Sequence, residues 1–175
     1  PLGLGAQLCW QRPEQERGKR HQRKERDYED KESFKWQAVV ELCRERFAEQ
    51  LARFVFVGDR ESDIYELLLY FVGEGLRFLI RSKGERRAQA AGESVRQRLC
   101  EVVERAPVLG HLTLEVPAAR GRAGRTALLE VRSAKLEVVA PKSHSYDPRI
   151  EVTAVRVQEV TIPGNGEPIG WLLLS

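Results

Sequence analysis

From Arg53 to Arg105 the chain alternates between two hydrophobic periods, and that alternation restricts it to a layered fold of strands and helices. Arg53–Gly58 (RFVFVG) is a short run of aromatic and β-branched side chains, too short and too stiff at χ1 for a helix, and reads as a buried strand. A helical period takes over near Ser62. Its residues Ile64–Val72 are apolar nearly all round, which predicts a helix buried on more than one side and stopped by Gly73 and Gly75. Arg77–Lys83 (RFLIRSK) reads as the next strand, and Ser94–Arg105 places Val95, Leu99, Val102 and Val103 on one helical face. Strand, helix, strand, helix in succession argues for an α/β layer.

The flanks have a different texture. Leu2–Arg12 (LGLGAQLCWQR) alternates loosely and predicts a strand, followed after Pro13 by an exposed charged connection from Glu14 to Lys35. That connection is basic first (Arg17, Lys19, Arg20, Arg23, Lys24, Arg26) and acidic later (Asp27, Glu29, Asp30, Glu32). Ser33 is placed to cap a helix running to about Leu51, whose apolar face is Trp36, Val39, Val40, Cys43 and Phe47; Trp36 reads as core. Past Gly110 come four β-prone runs, His111–Val116, Ala127–Arg132, Leu136–Ala140 and Val152–Val160, with no helix between them. They predict an antiparallel insertion. The expected organisation is therefore a partial core over residues 1–109, a β insertion over 110–166, and a return strand over 167–175 that rejoins the core sheet.

Composition narrows the setting. With 42% hydrophobic residues in 175, the chain can bury a sizeable core, which excludes full disorder. No apolar run approaches the ~20 residues of a membrane helix. Cys9, Cys43 and Cys100 lie too far apart for a disulfide framework or a zinc motif, so a reducing, cytoplasmic setting is expected. His21, His111 and His144 are isolated from one another, and no Walker loop or G-x-S-x-G is present. A net charge of +3 leans mildly toward a polyanionic partner. The chain opens on Pro1 and contains no methionine, which predicts an internal piece of a longer protein.

Asp59 is the most informative position, because it follows an apolar strand and precedes a helix, at the carboxyl edge where open α/β sheets place ligands. There it either holds a divalent metal, or caps the next turn or pairs with Arg60. Asp63 reads as favourable charge in a first helical turn. Arg81 and Lys83 are either solubilising charges at a strand end or phosphate contacts, and Trp171 after Gly170 is either a core residue or an exposed stacking surface. The basic turn holding Arg120, Arg122 and Arg125, like the Arg17–Arg26 run, is either solvated or tracks phosphates.

The segment GDRESDIYELL, followed about a dozen residues later by RFLIRSK, resembles the middle catalytic motif of DDE transposases of the insertion-sequence-four family. The matching residues are Asp59, Arg60, Glu61, Ser62, Asp63 and Ile64, and the likeness extends to Trp10-Gln11-Arg12-Pro13, to Lys31–Trp36 (KESFKW) and to Pro168–Ser175 (PIGWLLLS). It is weakest within the β insertion. The resemblance implies an α/β, RNase H-like mixed sheet with flanking helices, interrupted by an antiparallel β insertion subdomain. It implies a site of three carboxylates and two magnesium ions, with manganese as a substitute, that cuts and joins double-stranded DNA at transposon ends and target. Asp59 takes the part of the second, bridging carboxylate. The first aspartate and the final glutamate, the latter in a Tyr, Arg, Glu pattern, would lie outside these residues, so the chain alone is expected to be inactive. Arg60, Arg81 and Lys83 correspond to DNA-facing positions, with Arg120, Arg122 and Arg125 as further phosphate candidates, and Trp171 to a residue that stacks on a flipped base. The longer protein is expected to act as a homodimer in the bacterial cytoplasm, at the nucleoid when on DNA, with no membrane partner. The alternative is a degenerate remnant that only binds DNA; a nuclease unrelated to transposition accounts less well for the inserted strands ending in GWLLLS.

Overall fold

The computed structural model describes residues 3–9, 11, 14, 27–119, 123–141, 149–161, 164 and 167–175. Its helices are α1 (Lys35–Phe47), α2 (Tyr65–Gly73) and α3 (Leu99–Glu104). Its strands are β1 (Phe56–Gly58), β2 (Phe78–Arg81), β3 (Arg87–Ala90), β4 (Gln97–Arg98), β5 (Val108–Val116), β6 (Arg125–Val138), β7 (Ile150–Glu159) and β8 (Gly170–Leu174). All eight join one sheet in the order β1-β2-β8-β7-β6-β3-β4, with β5 also paired to β6. Among the described residues only β1 and β2 run parallel, connected through α2; every other pairing is antiparallel. The chain is thus a mixed α/β fold built on a single mixed sheet.

The helices pack on one face of that sheet. Alternation sends Phe78 and Ile80 of β2, Leu136 and Val138 of β6, Ile150, Val152 and Ala154 of β7, and Leu174 of β8 into a common core with Val40, Leu67, Leu68, Phe71, Leu99, Val102 and Val103 from the helices. Phe71 stacks between Phe56 and Phe78, with ring centroids 5.6 and 5.1 Å away. Burying side chains of this size stabilises by roughly 1.5–3 kcal/mol each, which holds α2 on the parallel pair. The alternate residues point to the other face, where Ala127, Leu129 and Val157 form a smaller cluster with Leu114, Val116, Val131, Val155, Ile169 and Trp171.

Several local expectations change. Residues 3–9 and 11 carry no strand. The glycine-rich opening has no β-branched residue to favour pleating, and the carbonyl of Gly5 accepts from the Arg46 guanidinium of α1 instead. Ser33 lies in a 3₁₀ turn and makes no side-chain cap. The third helix begins at Leu99 rather than Ser94, because the Glu101 carboxylate folds back to accept the Arg98 N–H at 3.0 Å and so starts the helix there; Val95 is left exposed. The expected break between two runs near Ser133–Lys135 is absent: β6 continues unbroken, with Ser133, Ala134 and Lys135 opposite Val155, Ala154 and Thr153 of β7. Through β7 and β8 the strands of the expected insertion are hydrogen-bonded into the same sheet as β2.

Candidate functional site

β1 ends at Gly58, and the chain turns at once. Asp59 is exposed, and its Oδ1 accepts the Glu61 N–H at 3.0 Å, so its side chain caps the 3₁₀ turn Arg60–Ser62. Ser62 is buried and donates its hydroxyl to the Asp59 carbonyl at 2.7 Å, closing the turn from below. Gly58 makes this approach sterically feasible. A Cβ there would sit 2.1 Å from Ser62 Oγ and 2.9 Å from Ile80 Cδ1. Gly58→Ala is therefore expected to destabilise by about 1–3 kcal/mol in urea unfolding, as overpacking does. Gly73→Ala, where a Cβ meets nothing within 4 Å, should be neutral or slightly stabilising.

Asp63 does more than supply charge near a helix start, because α2 begins only at Tyr65 and Asp63 turns away from it. Its side chain is 2% exposed and accepts from Arg86 at Oδ1 (Nη2 at 2.6 Å, Nε at 3.0 Å) and, at Oδ2, from Ser82 Oγ at 3.0 Å and the Lys83 N–H at 2.9 Å. Arg86 also reaches the Asp63 carbonyl at 3.1 Å. This clamp ties the end of β2 to the entrance of α2 and fixes the backbone of Lys83. Arg86 and Ser82 were not anticipated from sequence. The available signal was an acid beside a helix apolar nearly all round, since a carboxylate drawn into that core needs a cation.

The strand register then places the other candidates. Gly58 pairs with Ile80 in the parallel pair, so Asp59 leaves β1 level with Arg81. Arg81 pairs with Leu173 of β8, and the Ser82 N–H donates to the Leu172 carbonyl at 2.7 Å, so one further step brings Lys83 level with Trp171. Arg81 and Trp171 occupy alternation positions opposite to Phe78, Ile80 and Leu174, on the face away from α1, α2 and α3. Asp59, Arg81, Lys83 and Trp171 thus meet at one end of the sheet. Arg60 and Lys83 are exposed, Arg81 is half-buried with its Nε unpartnered, and none of the three makes an ion pair among the described residues. Trp171 is half-buried against the Val157 cluster, so its ring is partly core.

Arg125 is placed differently. Its guanidinium makes a bidentate pair with Glu159, Nε to Oε1 at 3.1 Å and Nη2 to Oε2 at 2.9 Å, and Glu159 also accepts the Ile169 N–H at 2.8 Å. The hydrogen bond from Arg125, and next that from Ile169, hold the Glu159 carboxyl below its usual range. This cation is engaged in fastening β6 to the approach to β8. Arg120, Arg122, the Arg17–Arg26 run, Trp10, Arg12, Pro13, His21 and His144 lie outside the described residues.

For a divalent cation, Asp59 offers one carboxylate oxygen beyond the one that caps the turn. Among the described residues no three His, Cys, Asp or Glu side chains come together as a metal-holding group. Magnesium takes near-octahedral oxygen coordination, so Asp59 fits as one ligand of a set and not as a resident site by itself. Among the described residues no helix is long and apolar enough to cross a membrane. Compared with models of known protein families, the chain matches none.

Proposed function

We propose that the chain is the central part of a DDE-type DNA transposase catalytic domain of RNase H-like fold, with Asp59 as one of its three metal-binding carboxylates. The observation that carries this reading is the convergence of Asp59 with three cations, Arg60, Arg81 and Lys83, that have no ion-pair partner among the described residues, at the carboxyl end of the parallel β1–β2 pair. A carboxylate site alone would repel a phosphodiester backbone; cations on its rim draw that backbone in and orient it. Magnesium, when bound, would activate the attacking oxygen and stabilise the leaving one. Asp59 would hold the ions, Arg81 and Lys83 would grip phosphates on either side of the scissile bond, and Trp171 would offer a stacking surface at the same end. The other two carboxylates would come from flanking sequence, and two copies would hold two transposon ends.

Binding of this chain to double-stranded DNA tests the first requirement. Arg81→Glu with Lys83→Glu is expected to weaken binding at least tenfold in fluorescence anisotropy and to flatten its dependence on salt by about one slope unit per phosphate contact removed. Arg105→Glu, past the end of α3, serves as the control. An equal loss there would mean only general charge attraction and would overturn the site. The second reading, a remnant that binds DNA without chemistry, is favoured by the capping role of the Asp59 side chain. Metal-dependent cleavage by a protein carrying all three carboxylates separates the two.

A further inference from the structure

We propose that the outer edge of β5 pairs with the same edge of a second copy of this chain, antiparallel about a two-fold axis through Thr113. The proposal stands apart from the transposase reading. Three strands end the sheet's hydrogen bonding among the described residues: β1 with three residues, β4 with two, and β5 with nine. Short edges are a common way to avoid unwanted pairing, whereas long edges are normally blunted by lysine, proline or inward charge. β5 reads VLGHLTLEV, with neither lysine nor proline and with Glu115 as its one carboxylate. Leu109 and Leu112 are 66% and 57% exposed on it.

The polarity of the edge follows from its neighbours. The Val160 N–H donates to the Leu128 carbonyl at 2.9 Å, so Leu128 directs its backbone groups toward β7, and its neighbours Ala127 and Leu129 direct theirs toward β5. Leu114 and Leu112 pair with those two residues and point inward. The alternate residues His111, Thr113 and Glu115 therefore present N–H and C=O to the open side.

A two-fold through Thr113 sets Thr113 opposite Thr113 and His111 opposite Glu115 twice, so every pair exchanges both backbone bonds. The imidazole and the carboxylate are complementary. Glu115 is held on that face by its ladder partner on β6, Thr126, whose hydroxyl donates to it at 2.8 Å. On the opposite face Leu112 of one copy covers Leu114 of the other, where β5 is now exposed. Competing registers are worse. Sliding two residues one way sets Pro117, which has no N–H, against His111. Sliding the other way runs into the bulge between Val108 and Gly110 and sets Glu115 against Leu109.

Sedimentation equilibrium of the 175-residue chain tests this: the mass should rise from 20.0 kDa toward twice that value as concentration increases through the micromolar range. Thr113→Lys sets two ammonium groups face to face at the axis and should hold the chain monomeric at every concentration, with unchanged circular dichroism and the melting temperature of the dilute, monomeric parent chain. In a Cys9→Ser background, Thr113→Cys should cross-link to itself on mild oxidation, since Cα atoms in such a pair lie about 5.5 Å apart, within disulfide reach. A monomeric mass throughout, a dimer that survives Thr113→Lys, or no Thr113→Cys cross-link would each overturn the proposal.

Discussion

Asp59→Asn, in a protein that joins this chain to the two further carboxylates of the proposed site, should abolish magnesium-dependent cleavage of DNA while leaving DNA binding and melting temperature nearly unchanged. The asparagine is the informative substitution. Its side-chain oxygen can still accept the Glu61 N–H, so the turn over Arg60–Ser62 stays capped, and only the negative charge is lost. Loss of one group that stabilises charge in a transition state typically lowers turnover by about 10²–10³-fold, and loss of a shared metal ligand should do no less. Asp59→Ala removes the cap as well. It should therefore add about 0.5–2 kcal/mol of destabilisation to the same catalytic loss. Gel-resolved strand cleavage with magnesium, run beside thermal melts of both variants, separates the two roles. Full cleavage by the asparagine variant would reduce Asp59 to a cap and leave the DNA-binding remnant as the better reading.

Asp63→Ala should cost about 3–5 kcal/mol of stability, read as a lower urea midpoint with little change in slope. The pair it breaks is enclosed: the Asp63 and Arg86 side chains are 2% and 13% exposed. Truncation strands the guanidinium and also removes the acceptor for Ser82 Oγ and the Lys83 N–H. Arg86→Ala should be comparably damaging because it leaves the carboxylate alone. The double variant should then lose clearly less than the two single losses added, since each single change already breaks the shared interaction. A loss below about 1 kcal/mol for Asp63→Ala would mean that water screens the pair as it does a surface ion pair. Because Lys83 is anchored through its own N–H to Asp63, DNA binding should fall in Asp63→Ala even where the fold persists.

The parts legible in the sequence were those written in hydrophobic period. β1, α2 and β2 announce themselves because each is apolar at the spacing its geometry requires, and Gly73 and Gly75 mark the helix end; Gly75 does adopt a left-handed φ of 63°. β3 and β4 were not legible. Arg87–Ala90 (RAQA) alternates only with alanine and Gln97–Arg98 is two polar residues, neither of them β-prone, and what holds β3 is its place beside β6 and the buried Gln89 amide donating to Glu137 at 2.8 Å. The continuity of β6 was hidden by Ser133 and Lys135, polar residues that the face away from α1, α2 and α3 tolerates. The Asp63–Arg86 clamp joins residues from two loops with no shared motif, and nothing in a linear pattern ties one to the other. At Asp59 a capping carboxylate and a metal ligand require the same residue in the same place, so the letters alone leave both readings standing.

β8 lies between β2 and β7, and that position sets an order of assembly. Ile80 must find Leu174 across most of the chain before the parallel pair and the long antiparallel strands become one sheet. Closing so large a loop is entropically slow, and contacts this remote in sequence are the ones that delay folding. On a ribosome, β1, α2 and β2 would emerge before β8 and wait, half-supported, for that strand to slot in. The end of the sheet where Asp59, Arg81, Lys83 and Trp171 meet would thus be among the last parts of this sheet to take shape.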